Sequence, residues 1–217
     1  MTSGKRTRRL PWLVLALLTP TPAPAATLAP DRLIASLAQH APARTAFAEV
    51  RYVGVLTRPL ILHGELAWLG GARLERDVAT PYRETTRIDG DQVRVMRPGQ
   101  PPQDFDLGRA PELKGLLTGF RALLSGDAAL LHGAFRVRAS GDARAWTLQL
   151  TPRTAALARR LTGISVDGSG HALRCLRMDQ GNGDTSFTLL GALATRALPA
   201  TPTPAALATL CAGSALP

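Results

Sequence analysis

Residues able to do chemistry are few and scattered in this 217-residue chain. Its four histidines, His40, His63, His132 and His171, stand apart from one another. None has a metal-binding spacing such as HExxH, in which two imidazoles share a helix face with a carboxylate base beside them. The acidic pairs Asp89-Gly90-Asp91 and Gly183-Asp184 have turn composition, where Asp beside Gly is ordinary usage. There is no GxSxG elbow, no P-loop and no GxGxxG following a strand. Cys175 and Cys211 are too far apart to form a metal site. They leave two readings: a disulfide, or a buried thiol on a strand with a loose one in the tail. The chain is therefore read as a non-enzyme with no catalytic residue, no metal and no cofactor.

Charge suggests a different function and then withdraws it. The formal net charge is +10, with 26 basic and 16 acidic residues. Four of the basic residues (Lys5, Arg6, Arg8, Arg9) lie in a start segment expected to be removed. The remaining arginines alternate with acids, as in Arg73-Leu74-Glu75-Arg76-Asp77, and aromatics make up only 5% of the chain. A base-stacking platform needs basic residues interleaved with aromatics, so no nucleic-acid partner is expected. An arginine-rich solvated surface with some attraction to anionic headgroups fits better.

Hydrophobic periodicity shows what the chain builds instead. Leu60, Leu62, Gly64, Leu66 and Trp68 fall on one face at period two, with Val50, Tyr52 and Leu56 before them and Val93 and Val95 after. Turn residues at Arg58-Pro59, Gly70-Gly71, Thr80-Pro81 and Asp89-Gly90-Asp91 divide this run into consecutive antiparallel strands. Period two returns at Phe135 and Val137, then at Trp146, Leu148 and Leu150, then from Ile164 to Leu190 through two glycine-bearing hairpins. A helix is predicted over residues 30–40. A second is predicted over 111–124, where Leu113, Leu116, Leu117, Phe120, Leu123 and Leu124 form one stripe. Gly115 and Gly119 inside it each cost about 1 kcal/mol relative to Ala, which suggests either close packing or a helix that has to move.

Residues 1–25 have the basic head, short apolar run and Ala23-Pro24-Ala25 site of a cleavable signal peptide, which implies export. The run Leu10–Leu18 is far shorter than the roughly twenty residues of a spanning helix. Residues 26–197 form one expected domain, and the Ala/Pro/Thr-rich tail 198–217 is expected to be loosely held, with a helical turn near 205–211.

The order of several short fragments carries a resemblance. They are Phe47-Ala48-Glu49, Gly64-Glu65-Leu66, Pro81-Tyr82-Arg83-Glu84 with Asp89-Gly90, the Leu-rich helix, Trp146 to Arg153, Ile164 to Asp167, and the closing hairpin to Leu190. In this order and spacing the chain resembles the LolA family of periplasmic lipoprotein carriers over most of its length. The resemblance implies a mostly β fold with α: a single antiparallel sheet curled into a half-open β-barrel of about eleven strands, covered by helices. It further implies a monomer that takes lipoprotein acyl chains, or other lipid or polyene cargo, from an inner-membrane transporter to an outer-membrane acceptor. Leu62, Leu66, Trp68, Val93, Val95 and Trp146 become candidate cavity walls; Leu113, Leu116, Leu117, Phe120 and Leu124 become the candidate lid. Typical members carry an Arg-Pro pair, important for cargo transfer, shortly after the Gly-x-Leu strand; the corresponding positions here are Gly70 and Gly71. Arg73 and Arg76 lie nearby at another strand phase. This departure resembles divergent relatives associated with glycolipid or aryl-polyene export. A lipid-sensing interaction module on the same half-barrel is the competing reading.

Overall fold

Alternating side chains between Ala43 and Leu190 build one antiparallel sheet of eleven strands. The computed structural model describes residues 28–213, so the expected signal peptide lies outside the described residues. In chain order the strands are β1 (Ala43–Tyr52), β2 (Leu60–Gly70), β3 (Arg73–Thr80), β4 (Glu84–Asp89), β5 (Gln92–Met96) and β6 (Gln103–Asp106). After the helices come β7 (Phe135–Gly141), β8 (Trp146–Pro152), β9 (Leu161–Ser169), β10 (Ala172–Gln180) and β11 (Thr185–Leu190). Their order in the sheet is β6-β5-β4-β3-β2-β1-β11-β10-β9-β8-β7. The sheet curls but does not close, because β6 and β7 are both edges. They are consecutive in sequence, so the segment between them crosses the gap. That segment carries α2 (Pro111–Ser125) and α3 (Ala128–Ala134). The other helices are α1 (Pro30–Ser36), α4 (Ala155–Arg160) and α5 (Pro204–Cys211).

Cross-strand partners share a face, and the register divides the sheet into two surfaces. The inner surface runs from Trp146, Leu148 and Leu150 through Val166 and Ile164 to Leu176 and Met178. It continues through Thr188 and Ser186 to Phe47, Glu49 and Arg51, then to Leu62, Arg76, Thr86 and Val95. Helices α1 to α4 fill its β7–β10 half. Ile34, Leu37, Ala122, Leu131 and Leu157 pack with Phe135, Leu148 and Val166 in a core that is almost wholly buried.

The outer surface is covered over β1, β11 and β10 by the C-terminal segment. Leu207, Leu210 and Cys211 of α5 pack on Ala48, Val50, Cys175, Phe187 and Leu189. Cys211 is joined to Cys175 in a disulfide spanning 36 residues. The Tyr52 hydroxyl donates to the Pro202 carbonyl at 2.6 Å, and Thr203 caps α5 by accepting from the Ala206 amide. The loose tail expected from composition is thus a packed element. A low-complexity count sees the alanines and prolines but not the Leu207-Leu210-Cys211 face.

Other differences are local. The alternation expected to run through Leu56 stops at Tyr52, where Val53–Leu56 forms a turn closed by the Leu56 amide on the Val53 carbonyl. The first helix ends at Ser36 rather than near His40. Edge strand β6 and helix α3 were not legible: β6 is four exposed residues, and α3 is seven residues capped by Asp127.

Candidate functional site

Helix α2 starts at Pro111, and Gly126 stops it at φ 71°, a left-handed conformation that suits glycine. It bears two apolar stripes rather than one. Gly119, Ala122 and Leu123 are buried in the helix-filled half, with Leu116 packed beside them. At 100° per residue, Leu113, Leu117, Phe120 and Leu124 are centred about a third of a turn away. These four are half-buried or, for Leu113, 43% exposed. Gly119 is explained by contact, since a Cβ there would sit 2.6 Å from the Phe135 ring. Gly115 is not: the nearest atom to a Cβ would be Leu157 Cδ2 at an ordinary 3.6 Å.

The start of α2 is tied to the opposite half of the barrel. Lys114 Nζ lies 2.6 Å from Asp91 Oδ2 in the β4–β5 turn, and the Leu107 amide donates to the Asp91 carbonyl. The helix therefore packs in the helix-filled half, while its first turn is held to the β4–β5 turn at one end of the inner face of β2–β5. On that face Leu66, Leu74, Ile88 and Val95 stay half-buried, and Phe105 on edge strand β6 is 52% exposed.

From β1 across β3 to the start of β4, the inner face carries a charged band that sequence reading missed. Glu49 on β1 is 5% exposed. It accepts from Arg51 Nε at 2.7 Å and from Arg76 Nη2 at 2.7 Å. The Arg76 guanidinium also sits 4.9 Å over the Phe47 ring. Glu84 extends the band, with Arg97 at 2.6 Å and Arg76 at 3.8 Å. Each charge is ordinary in its own strand; only the β1–β2–β3–β4 register brings them onto one face.

The candidate walls and lid divide accordingly. Trp146 is in the filled core, its indole N–H donating to the Gly170 carbonyl, so it interlocks with neighbours rather than facing a cleft. Leu116 is also core-packed. Leu62 is fully buried between Phe47 and Val78, with Leu66 against them. Trp68 ends the same face of β2 and donates to the Gly71 carbonyl, and Val93 is 9% exposed. Leu66, Val95, Leu113, Leu117, Phe120 and Leu124 keep apolar surface uncovered. Gly70 and Gly71 form the β2–β3 turn at φ 93° and 58°. Arg76, one of the two arginines near the missing Arg-Pro, is engaged with Glu49.

The family model for outer membrane lipoprotein carrier protein LolA-like chains matches residues 22–214. The chain belongs to this LolA-like family. No curated protein matches it. Solved structures similar to this LolA-like chain include a LolA superfamily protein from Nitrosomonas europaea, at 10% identity and TM-score 0.42, covering 81% of this chain and 96% of that one. LprF from Mycobacterium bovis is similar at 10% identity and TM-score 0.35, covering 80% and 96%. A chain of the Pseudomonas aeruginosa MucA/MucB complex is similar at 15% identity and TM-score 0.34, covering 82% of this chain and 58% of that one. Among the described residues of the LolA-like chain, no helix is long and apolar enough to cross a membrane.

Proposed function

We propose that this LolA-like protein is an exported, periplasmic, non-enzymatic carrier that receives the acyl chain of a lipid or lipoprotein between α2 and the inner face of β2–β5. The observation that carries the reading is the second stripe of α2, Leu113, Leu117, Phe120 and Leu124. These four residues keep apolar surface exposed beside a sheet face whose own leucine, isoleucine and valine side chains are only half covered. An ordinary core helix has one buried stripe and a polar remainder.

Energetics favour a cleft that is only partly ready. Burial contributes about 0.8 kcal/mol per methylene, so one long acyl chain fully buried gains about 12 kcal/mol, too much for cargo that has to be released. Here part of that gain is offset, because the guest must displace contacts α2 already makes. The charged band limits how deep the chain can run: Glu49, Arg51 and Arg76 are mutually paired, and an acyl tail lying over them would leave desolvated charge. The same pairing argues against hydrolysis. Glu49 is held by two guanidiniums, so both its oxygens are already engaged rather than directed at a guest.

The test is binding of a fluorescent fatty acid by the purified protein, with extraction of any copurified lipid. Phe120→Asp should weaken binding about tenfold or more, the value of one aromatic contact. The unfolding midpoint should barely move, since Phe120 is not core-packed. Unchanged affinity in that variant, or protein that is always recovered empty and binds no probe, would sink the carrier reading.

A further inference from the structure

Antiparallel pairing places five connections at one end of the barrel: 53–59, 81–83, 97–102, 153–160 and 181–184. These segments hold six arginines (Arg58, Arg83, Arg97, Arg153, Arg159, Arg160) and a single acid, Asp184; Arg97 is paired with Glu84, which starts β4 at the same end. The four hairpin turns at the opposite end, 71–72, 90–91, 142–145 and 170–171, hold one arginine and two aspartates. The charge asymmetry runs along the barrel axis. It is hidden in the overall composition, because strand arginines are paired with strand acids, as Arg87 is with Glu75 and Arg94 with Asp104.

The basic rim also carries exposed apolar side chains, among them Val55, the most exposed large apolar residue of those described. Val55 is 89% exposed, Leu56 47% and Tyr82 40%. The Val53–Leu56 turn is hydrogen-bonded, and the Gly54 amide donates to Asp184 Oδ1 at 3.0 Å, which consumes the one acid of these segments. Val55 and Leu56 are therefore held outward on a fixed turn. Arg58 and Arg83 beside them have no acidic partner among the described residues.

Apolar tips beside two arginines without acidic partners, on neighbouring loops that flank an open depression lined by Tyr82, Arg83, Arg97, Pro98 and Gln100, suit an interface where hydrocarbon and anionic headgroups alternate. We infer that this rim docks on a membrane surface bearing anionic phospholipid, with Val55 and Leu56 entering the headgroup boundary and Arg58 and Arg83 meeting phosphates. This surface is separate from the acyl cleft and does not depend on it.

Vesicle flotation of the purified protein tests the inference, using phosphatidylcholine vesicles with and without phosphatidylglycerol. Flotation is expected only with phosphatidylglycerol and should fall as salt rises. Arg58→Glu and Arg83→Glu should each lower apparent affinity about fivefold or more, the weight of one basic residue at an anionic surface. Val55→Asp should lower it without changing the charge of the arginines, and Arg144→Glu at the opposite end should leave it intact. All four sites are exposed, and circular dichroism with fatty-acid binding shows whether the fold and cleft survive. Equal flotation with neutral vesicles overturns the inference, as does equal damage from Arg144→Glu. So does absence of flotation, including the case where rim variants lose a crosslinked protein partner instead.

Discussion

Gly115 and Gly119 occupy the same helix and look alike in sequence, yet their surroundings differ. Gly119 admits the edge of the Phe135 ring, so Gly119→Ala forces ring or helix to shift and should cost about 1–3 kcal/mol. Gly115 meets only Leu157 at an ordinary distance, so Gly115→Ala should stabilise by up to about 1 kcal/mol through helix propensity. Denaturant unfolding of the two variants separates them, and the same sign for both would contradict the packing described. If Gly115 is kept to let the first turns of α2 yield to a guest, Gly115→Ala should also slow probe uptake. Glu49 makes a second point at this scale. A carboxylate in an alternating Arg/Glu run looks solvated in sequence, but here it is buried and shared by two arginines.

Among the elements, α5 changes the picture of the chain most. It is eight residues long, too short to persist alone, and it is held by burial of Leu207 and Leu210, by the Tyr52–Pro202 hydrogen bond and by the disulfide. A crosslink closing 36 residues contributes about 4 kcal/mol at most in the chain-entropy model. Replacing both cysteines by alanine should therefore lower stability by a few kcal/mol. It should also expose the segment after Leu198 to protease while leaving α2 protected. Cleavage rates with and without the substitutions check this; an unchanged rate would mean that apolar packing alone fixes the segment. α2 is the opposite case, long enough to persist but anchored on only one of its two stripes.

The whole molecule is a half-barrel filled on one side and bare on the other. Four helices seal β7–β10, whereas β3–β6 carry their inner face half exposed and end in an exposed edge. Local opening follows buried contact density, so amide exchange should be slowest in β8 and β9 and fastest in β5 and β6. A bound acyl chain should slow β5 and α2 selectively. Uniform protection across the sheet would contradict this division. On the proposed carrier reading, the same division lets the filled half supply the largest buried core while the acyl site lies in the other half.

By itself the sequence determined the antiparallel sheet, the two principal helices and the family, because period-two and period-3.6 patterns are local and the fragments that carry the resemblance are short. It also determined the apolar character of Leu66, Val95 and Phe120. Which apolar residues are spare was decided only in three dimensions. Leu116 and Leu117 are adjacent on one helix and both half-buried, and Trp68 and Trp146 read alike and are both buried; only the seating of the helices puts Leu116 and Trp146, and not the other two, in the filled core. The charged band and the basic rim were likewise invisible, since Glu49 meets Arg76, and Gly54 meets Asp184, across 27 and 130 residues of chain. Contacts of that separation depend on sheet register, which no local pattern encodes.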